Sequence, residues 1–73
     1  MSDKPAHKVR IGLITATIWK NEPENGTPFY TVQLQRTYKN GAGEWKSSDT
    51  LNHDDLLNAS KVLQRAEGWI AAQ

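Results

Sequence analysis

The chain has 73 residues with nine basic and eight acidic side chains, a formal net charge of +1, and no cysteine. This length allows one small domain, and the absence of cysteine excludes disulfides and thiolate metal sites. Because a core this small gives marginal stability, we expect self-association to contribute. No apolar stretch approaches the roughly 20 residues that cross a bilayer, so the sequence predicts a soluble, cytoplasmic protein without membrane contact.

The N-terminal half predicts a flexible arm and one long first strand. Residues 1–8 are polar and form the predicted arm, and residues 9–73 form the predicted single domain. Residues 9–19 are apolar and rich in β-branched side chains, but the alternation changes parity near Gly12. A bulge or strong bend at Gly12 would reconcile the two halves, and it leaves the facing of this strand open.

Residues 29–38 predict a second strand, antiparallel to the first because Asn25-Gly26 is a strong reversal signal. Alternation places Tyr30, Val32 and Leu34 inward. The opposite face carries Phe29, Thr31, Gln33, Gln35 and Thr37, which are uncharged. A second turn follows, and a short third strand begins near Trp45 and is interrupted around Ser47-Ser48, which suits an edge position.

The C-terminal segment predicts one capped amphipathic helix. Asn52 is a good N-cap, and Asp55 is placed to complete a capping box. Apolar residues at helical spacing over residues 56–70 form a stripe that is wider than one sheet face needs. The extra width predicts a dimer contact, formed by Leu57, Val62, Trp69 and Ile70. The predicted fold is therefore α+β: a curved antiparallel sheet of three to four strands, followed by one C-terminal helix packed on one face.

Catalytic and metal-binding patterns find no support. His7 lies in the predicted arm, and His53 stands beside Asp54 and Asp55. Neighbouring residues on a helix point in different directions, so a solvated cap explains this cluster better than a metal site. The glycine-containing turns lack the lysine and the following helix of a phosphate-binding loop. The sequence predicts no enzyme, no cofactor and no metal.

Aromatic and basic residues recur along the strands, a composition typical of single-stranded nucleic-acid binders. Rings stack on bases while lysine and arginine contact phosphates. Ordinary core packing is the competing explanation for the rings. The candidate nucleic-acid-binding residues are Lys8, Arg10, Trp19, Lys20, Phe29, Arg36, Tyr38, Lys39, Trp45 and Lys46.

The segment GEWKSSDTLNHDDLLNASKVL resembles the end of positive cofactor four type transcriptional coactivators. Leu51-Asn52, Asp54-Asp55 and Leu56 match the strand-to-helix junction of that family, and the KVRIG start is similar to small bacterial relatives. The resemblance implies a homodimer, held by its helices, that binds single-stranded DNA through the sheet in transcription or replication. Its candidate contacts are Lys8, Arg10, Arg36, Lys39, Trp45 and Lys46. The near-neutral charge departs from such binders.

An alternative function is a small protein–protein interaction module, a regulator or inhibitor that uses the exposed sheet face. Near-neutral charge favours this alternative. Salt dependence separates the two, because only phosphate contacts give a steep loss of affinity with salt. The partner is therefore expected to be single-stranded DNA or RNA, with a protein partner as the second option.

Overall fold

The computed structural model describes residues 4–73 and contains four strands followed by one helix. The strands are β1 (His7–Ile11), β2 (Ile14–Asn21), β3 (Phe29–Lys39) and β4 (Trp45–Ser48), and α1 spans Leu56–Ala71. Each strand pairs antiparallel with the next, in the order β1-β2-β3-β4. The predicted α+β fold, an antiparallel sheet followed by one C-terminal helix, is confirmed. The sheet is open.

Gly12 is a hairpin turn, so the prediction of one continuous strand over residues 9–19 was wrong. Ile11 pairs with Ile14 across a two-residue turn made by Gly12 and Leu13. The φ angle of Gly12 is +59°, as the first position of a type II′ turn requires. The reversal also explains the change of parity, because the residues on either side of the turn pair directly and share a face.

The predicted arm is shorter than eight residues. Strand β1 begins at His7, so His7 and Lys8 belong to the sheet. The pairing continues one residue earlier, where the backbone N–H of Ala6 donates to Ile18 O at 2.8 Å. The prediction for residues 1–3 lies outside the described residues.

The core lies between the helix and one face of the sheet. Its buried apolar residues come from alternate positions of β2 and from one side of α1, namely Ile14, Ala16, Ile18, Ala59, Val62 and Ala66. Two of the three helix residues are alanines, whose small side chains allow close approach to the sheet. Half-buried side chains surround this centre, including the predicted inward residues Tyr30 and Leu34.

The helix start is anchored to β3. A 3₁₀ turn, His53–Asp55, precedes α1. The Asp55 carboxylate accepts a hydrogen bond from the backbone N–H of Asn52 at 3.1 Å, as a capping box requires. The same carboxylate faces Arg36 Nε at 3.8 Å, and both side chains are mostly buried. This pair fixes where the helix begins relative to the sheet.

The helix covers only part of the sheet. It packs mainly on β1 and β2 and leaves the helix-side face of β3 partly open. A groove of about 640 Å³ runs along this uncovered part, lined by Leu34, Leu51, Leu56 and Leu63 among others. Leu56 and Leu63 are 50% and 44% exposed. We call this surface, including Ala59 at its base, the helix groove.

The predicted dimer residues divide between the core and the surface. Val62 is fully buried inside its own chain. Trp69 stacks on His7 with ring centroids 4.8 Å apart, and Ile70 packs against the core. Val62 is therefore not accessible to a partner, and its assignment to an interface is corrected. Trp69 and Ile70 are half-buried, and their assignment stays a prediction. Leu57 is 85% exposed and remains available to a partner.

Candidate nucleic-acid interface

Strand register determines which side chains share the face of the sheet opposite the helix. Lys8 pairs with Thr17, which pairs with Gln33, and Arg10 pairs in the same way with Thr15 and Gln35. Since side chains alternate along a strand, directly paired residues point to one side. We call this surface the open face; its residues are Lys8, Arg10, Thr15, Thr17, Trp19, Asn21, Phe29, Thr31, Gln33, Gln35, Thr37, Lys39, Trp45 and Ser47.

Six of the ten predicted nucleic-acid-binding residues lie on the open face. They comprise three basic residues and three aromatic residues: Lys8, Arg10, Lys39, Trp19, Phe29 and Trp45. The rings are accessible, since Phe29 is 51% and Trp45 is 60% exposed, and Trp19 is half-buried. The structure thus brings both chemical types needed for strand binding to one surface.

Aromatic side chains occupy the two ends of the open face. Trp19 and Phe29 lie where β2 ends and β3 begins, and Trp45 lies where β3 ends and β4 begins. The ten residue steps of β3 between Phe29 and Lys39 span about 33 Å. A polar strip of threonine and glutamine side chains separates the ends.

Arg10 links the outer strand to the far aromatic end. Its guanidinium Cζ lies 5.8 Å from the centroid of the Trp45 ring, although Arg10 is on β1 and Trp45 on β4. The Nε of Arg10 donates to Gly12 O at 3.0 Å, which holds the side chain close to the β1–β2 turn. The two residues therefore present a cation beside a ring, an arrangement that suits a base next to its phosphate.

The open face carries no acidic side chain. None of the four strands contains Asp or Glu, so the acidic residues among residues 4–73 lie in the turns, the 3₁₀ turn and the helix. The chain as a whole is nearly neutral. Because the acidic residues lie elsewhere, the open face carries three positive charges among polar side chains. The net charge of the chain does not reveal this distribution.

The other four predicted residues lie on the helix side of the sheet. Arg36 contacts Asp55, donates from Nε to Thr50 O at 3.4 Å, and lies over the Tyr38 ring with its Cζ 4.5 Å from the centroid. Its role is to hold the strand-to-helix connection. Arg36 and Tyr38 therefore lie outside the open face, and their assignment to nucleic-acid binding stays a prediction.

Lys20 and Lys46 form ion pairs close to turns. Lys20 Nζ lies 3.3 Å from Glu22 Oε1, and Lys46 Nζ lies 3.9 Å from Glu44 Oε2. Both lysines also have the parity of the helix side. They are not part of the open face, but both side chains are well exposed at its ends, so their assignment to phosphate contacts stays a prediction.

Sequence reasoning identified Trp19 but not the other three β2 residues of the open face. Thr15 and Asn21 belong to the polar strip, Thr17 between them is buried at 7% exposure, and Asn21 Nδ2 donates to Thr31 Oγ1 at 3.2 Å. They were missed because the facing of residues 9–19 was left open. The signal was Gly12 itself, since a two-residue turn there assigns every later residue of β2 to a face.

Within residues 4–73 no group of three or more His, Asp or Glu side chains could hold a metal ion. His7 stacks on Trp69, and His53 lies in the 3₁₀ turn before α1. Among these residues no helix is both long and apolar enough to span a membrane.

Comparison of the chain with protein-family models, curated proteins and solved structures gave no match. The resemblance to positive cofactor four proteins therefore stays a prediction, and the function must be argued from the surfaces described above.

Proposed function

We propose that this protein is a non-catalytic single-stranded nucleic-acid-binding protein that acts in the cytoplasm, with DNA as the preferred ligand. The observation that carries the proposal is the composition of the open face. Three cations and three aromatic rings share a surface that has no acidic side chain. A strand lying along β3 meets rings at both ends and hydrogen-bonding side chains between them.

The arrangement favours single strands over a duplex. Stacking needs the face of an unpaired base, and each base that stacks on an aromatic side chain contributes about 1–3 kcal/mol. The bases of a duplex are already stacked on one another, so the rings of the open face would gain little from it. Glutamine and threonine can donate to or accept from any base edge, so we expect only slight sequence preference across the central strip.

A salt titration of strand binding tests this proposal. Fluorescence anisotropy of a labelled oligonucleotide of roughly 20 nucleotides, long enough to cover the face, should report binding at low salt. Three phosphate contacts predict that log affinity falls with log salt at a slope of about −2. DNA and RNA of the same sequence should be compared, and a duplex should bind more weakly.

Two lysine variants provide the matched comparison. Lys8→Ala removes an exposed cation from the open face, and Lys61→Ala removes one from the helix. We expect Lys8→Ala to reduce the steepness of the salt slope by about 0.7 and Lys61→Ala to leave it unchanged. Absence of binding at low salt, or equal losses in the two variants, would rule out the open face as the binding surface.

We further propose that the protein acts as a homodimer formed through the helix groove. The chain exposes 5,496 Å², whereas a compact monomer of 8.2 kDa exposes about 4,500 Å². The excess is comparable to the roughly 800 Å² that each partner contributes to a standard interface. Leu56 and Leu63 are exposed in the groove, and Leu57 adjoins them on the helix. An apolar groove favours contact with a protein. If the partner is a second copy of the chain, the interface lies on the helix side and leaves the open face accessible.

Sedimentation analysis tests the dimer. Leu63→Gln places a polar group in the groove, and we expect it to weaken dimerisation at least about tenfold, with a smaller effect from Leu57→Gln. Arg65→Gln, on the opposite side of the helix, is the control and should remain dimeric. A wild-type chain that stays monomeric at high micromolar concentration would contradict the dimer without affecting the test of strand binding. If no oligonucleotide binds, the alternative function is a regulator or inhibitor that binds a partner protein through the open face.

A further inference from the structure

A depression at the Trp19–Phe29 end distinguishes this end of the open face. Its volume is about 820 Å³, within the range of small-ligand sites. Trp19, Asn21, Phe29 and Thr31 contribute from the open face, and Pro5 and Pro23 close it from the flanking segments. We call it the base cup.

The walls of the base cup suit a flat aromatic ligand. Trp19 pairs with Thr31 and Phe29 pairs with Asn21, so the two rings are diagonal neighbours, with Cα atoms about 7–8 Å apart. Neither ring stacks on another aromatic side chain among residues 4–73. Two neighbouring rings on one face, one exposed and one half-buried, with prolines in the same lining, offer apolar contact to a planar group.

The polar atoms of the base cup are held in place. The bond from Asn21 Nδ2 to Thr31 Oγ1 fixes the orientation of the carboxamide. Its second N–H and its Oδ1 make no hydrogen bond with any residue that the structure describes. One donor and one acceptor therefore stand side by side. Adenine presents the complementary pair, an amino donor next to a ring-nitrogen acceptor, and asparagine is a common partner of that edge.

Charge at the rim is compatible with a nucleotide. Glu22 is the acidic residue that lines the cup, and its carboxylate is paired with Lys20 at 3.3 Å. Lys20 is 44% exposed at its side chain, so the ammonium remains accessible from solvent. A phosphate attached to the bound base would meet a lysine at the rim.

We propose that the base cup binds one unstacked adenine of the bound strand, held between Trp19 and Phe29 and recognised by the Asn21 carboxamide. This inference rests on the proposed function, because the adenine reaches the cup as part of a strand on the open face. It gives the protein a preference for adenine at one end of its site, whereas the polar strip accepts any base.

The test compares an oligothymidine with the same oligonucleotide carrying a single adenine, at each position in turn. We expect the wild-type chain to bind one of the adenine-containing strands at least about fivefold more tightly than oligothymidine. Asn21→Ala should abolish this preference, so that its affinities for the adenine-containing strand and for oligothymidine become equal within about twofold. Trp45→Ala, at the other end of the open face, should lower both affinities and keep the preference.

A fluorescent base locates the contact directly. 2-Aminopurine keeps the planar ring and N7 of adenine but lacks the 6-amino group, so at the preferred position it should bind more weakly than adenine. At saturating protein its stacking should still quench its fluorescence, and Phe29→Ala should lose most of this quenching. If oligothymidine binds but no adenine position is preferred, or if Asn21→Ala retains the preference, the base cup proposal is overturned and strand binding stands. If no oligonucleotide binds at low salt, both proposals fail. Circular dichroism of each variant verifies that the fold is intact.

Discussion

The two faces of the sheet differ in what their side chains do for the molecule. On β2, Ile14, Ala16 and Ile18 are fully buried under the helix. Of the alternate residues, Thr15 and Trp19 remain partly accessible on the open face, and Thr17 between them is buried at 7% exposure. The same strand therefore supplies half of the buried core residues and part of a polar surface. Because successive side chains of a strand point to opposite faces, residues that stabilise the fold alternate with residues available for binding. Substitutions on one face should change folding, and those on the other should change binding.

The helix side itself has two unequal parts. Over β1 and β2 the helix excludes solvent, whereas beside β3 it leaves Val32 39% exposed and the helix groove open. An antiparallel sheet commonly leaves one face solvated, but a half-covered apolar face is unusual for a monomer. The covered part explains how the chain folds, and the uncovered part supports the homodimer.

The largest expected effect compares two adjacent residues on opposite faces. Ile14→Ala removes a fully buried side chain from the core, and we expect it to lower the free energy of unfolding by about 2–5 kcal/mol. Thr15→Ala, one residue later on the open face, should cost less than about 1 kcal/mol. Chemical denaturation monitored by tryptophan fluorescence measures both. Similar losses in the two variants would show that the faces are not divided as described.

How much of this division could be read from the sequence depends on the strand. For β3, plain alternation was sufficient: it placed Tyr30 and Leu34 inward and the Gln and Thr residues outward. The same alternation puts Arg36 and Tyr38 on the helix side with Leu34. Their facing was therefore predictable, but their residue types are those that bind single-stranded nucleic acid, and the prediction followed residue type. The helix start was equally predictable from the sequence, because Asn52 and Asp55 interact with each other over only three residues.

The first two strands were harder for a physical reason. A bulge, a bend and a two-residue turn at Gly12 all change parity in the same way, and they differ only in which distant residues then pair. Val62 and Trp69 raised the same difficulty on the helix. A wide apolar stripe is expected both from a helix that contacts a curved sheet and from one that contacts a partner. Tertiary pairing decides between these cases, and one sequence does not contain it.

Gly12 sharpens the comparison because the turn between β1 and β2 determines which β2 residues lie on each face. Its φ of +59° disfavours any side chain, and a Cβ there would lie 3.2 Å from Asn58 Nδ2 of the helix. We expect Gly12→Ala to reduce the free energy of unfolding by about 1–2 kcal/mol. Gly41→Ala is the control: it lies in the β3–β4 turn without positive φ, and a Cβ there meets nothing within 4 Å. Thermal unfolding of both should show a loss for Gly12→Ala alone; equal melting temperatures would refute the hairpin.

The smallest effect separates two cations of the same strand. Arg36 faces the helix and contacts Asp55, whereas Lys39 lies on the open face. We expect Arg36→Ala to cost about 1 kcal/mol of stability, since it leaves Asp55 without its ion pair, and to leave oligonucleotide affinity unchanged.

Lys39→Ala should show the opposite pattern. Its stability should change by less than about 0.5 kcal/mol, because the side chain is exposed. Its affinity should fall about threefold at moderate salt, with a salt slope shallower by about 0.7, because one phosphate contact is lost. When stability and affinity are measured for both variants, each variant should change only one of the two quantities. If Arg36→Ala weakens strand binding as much as Lys39→Ala does, the helix side also contacts the strand, and the division of labour between the two faces is incorrect.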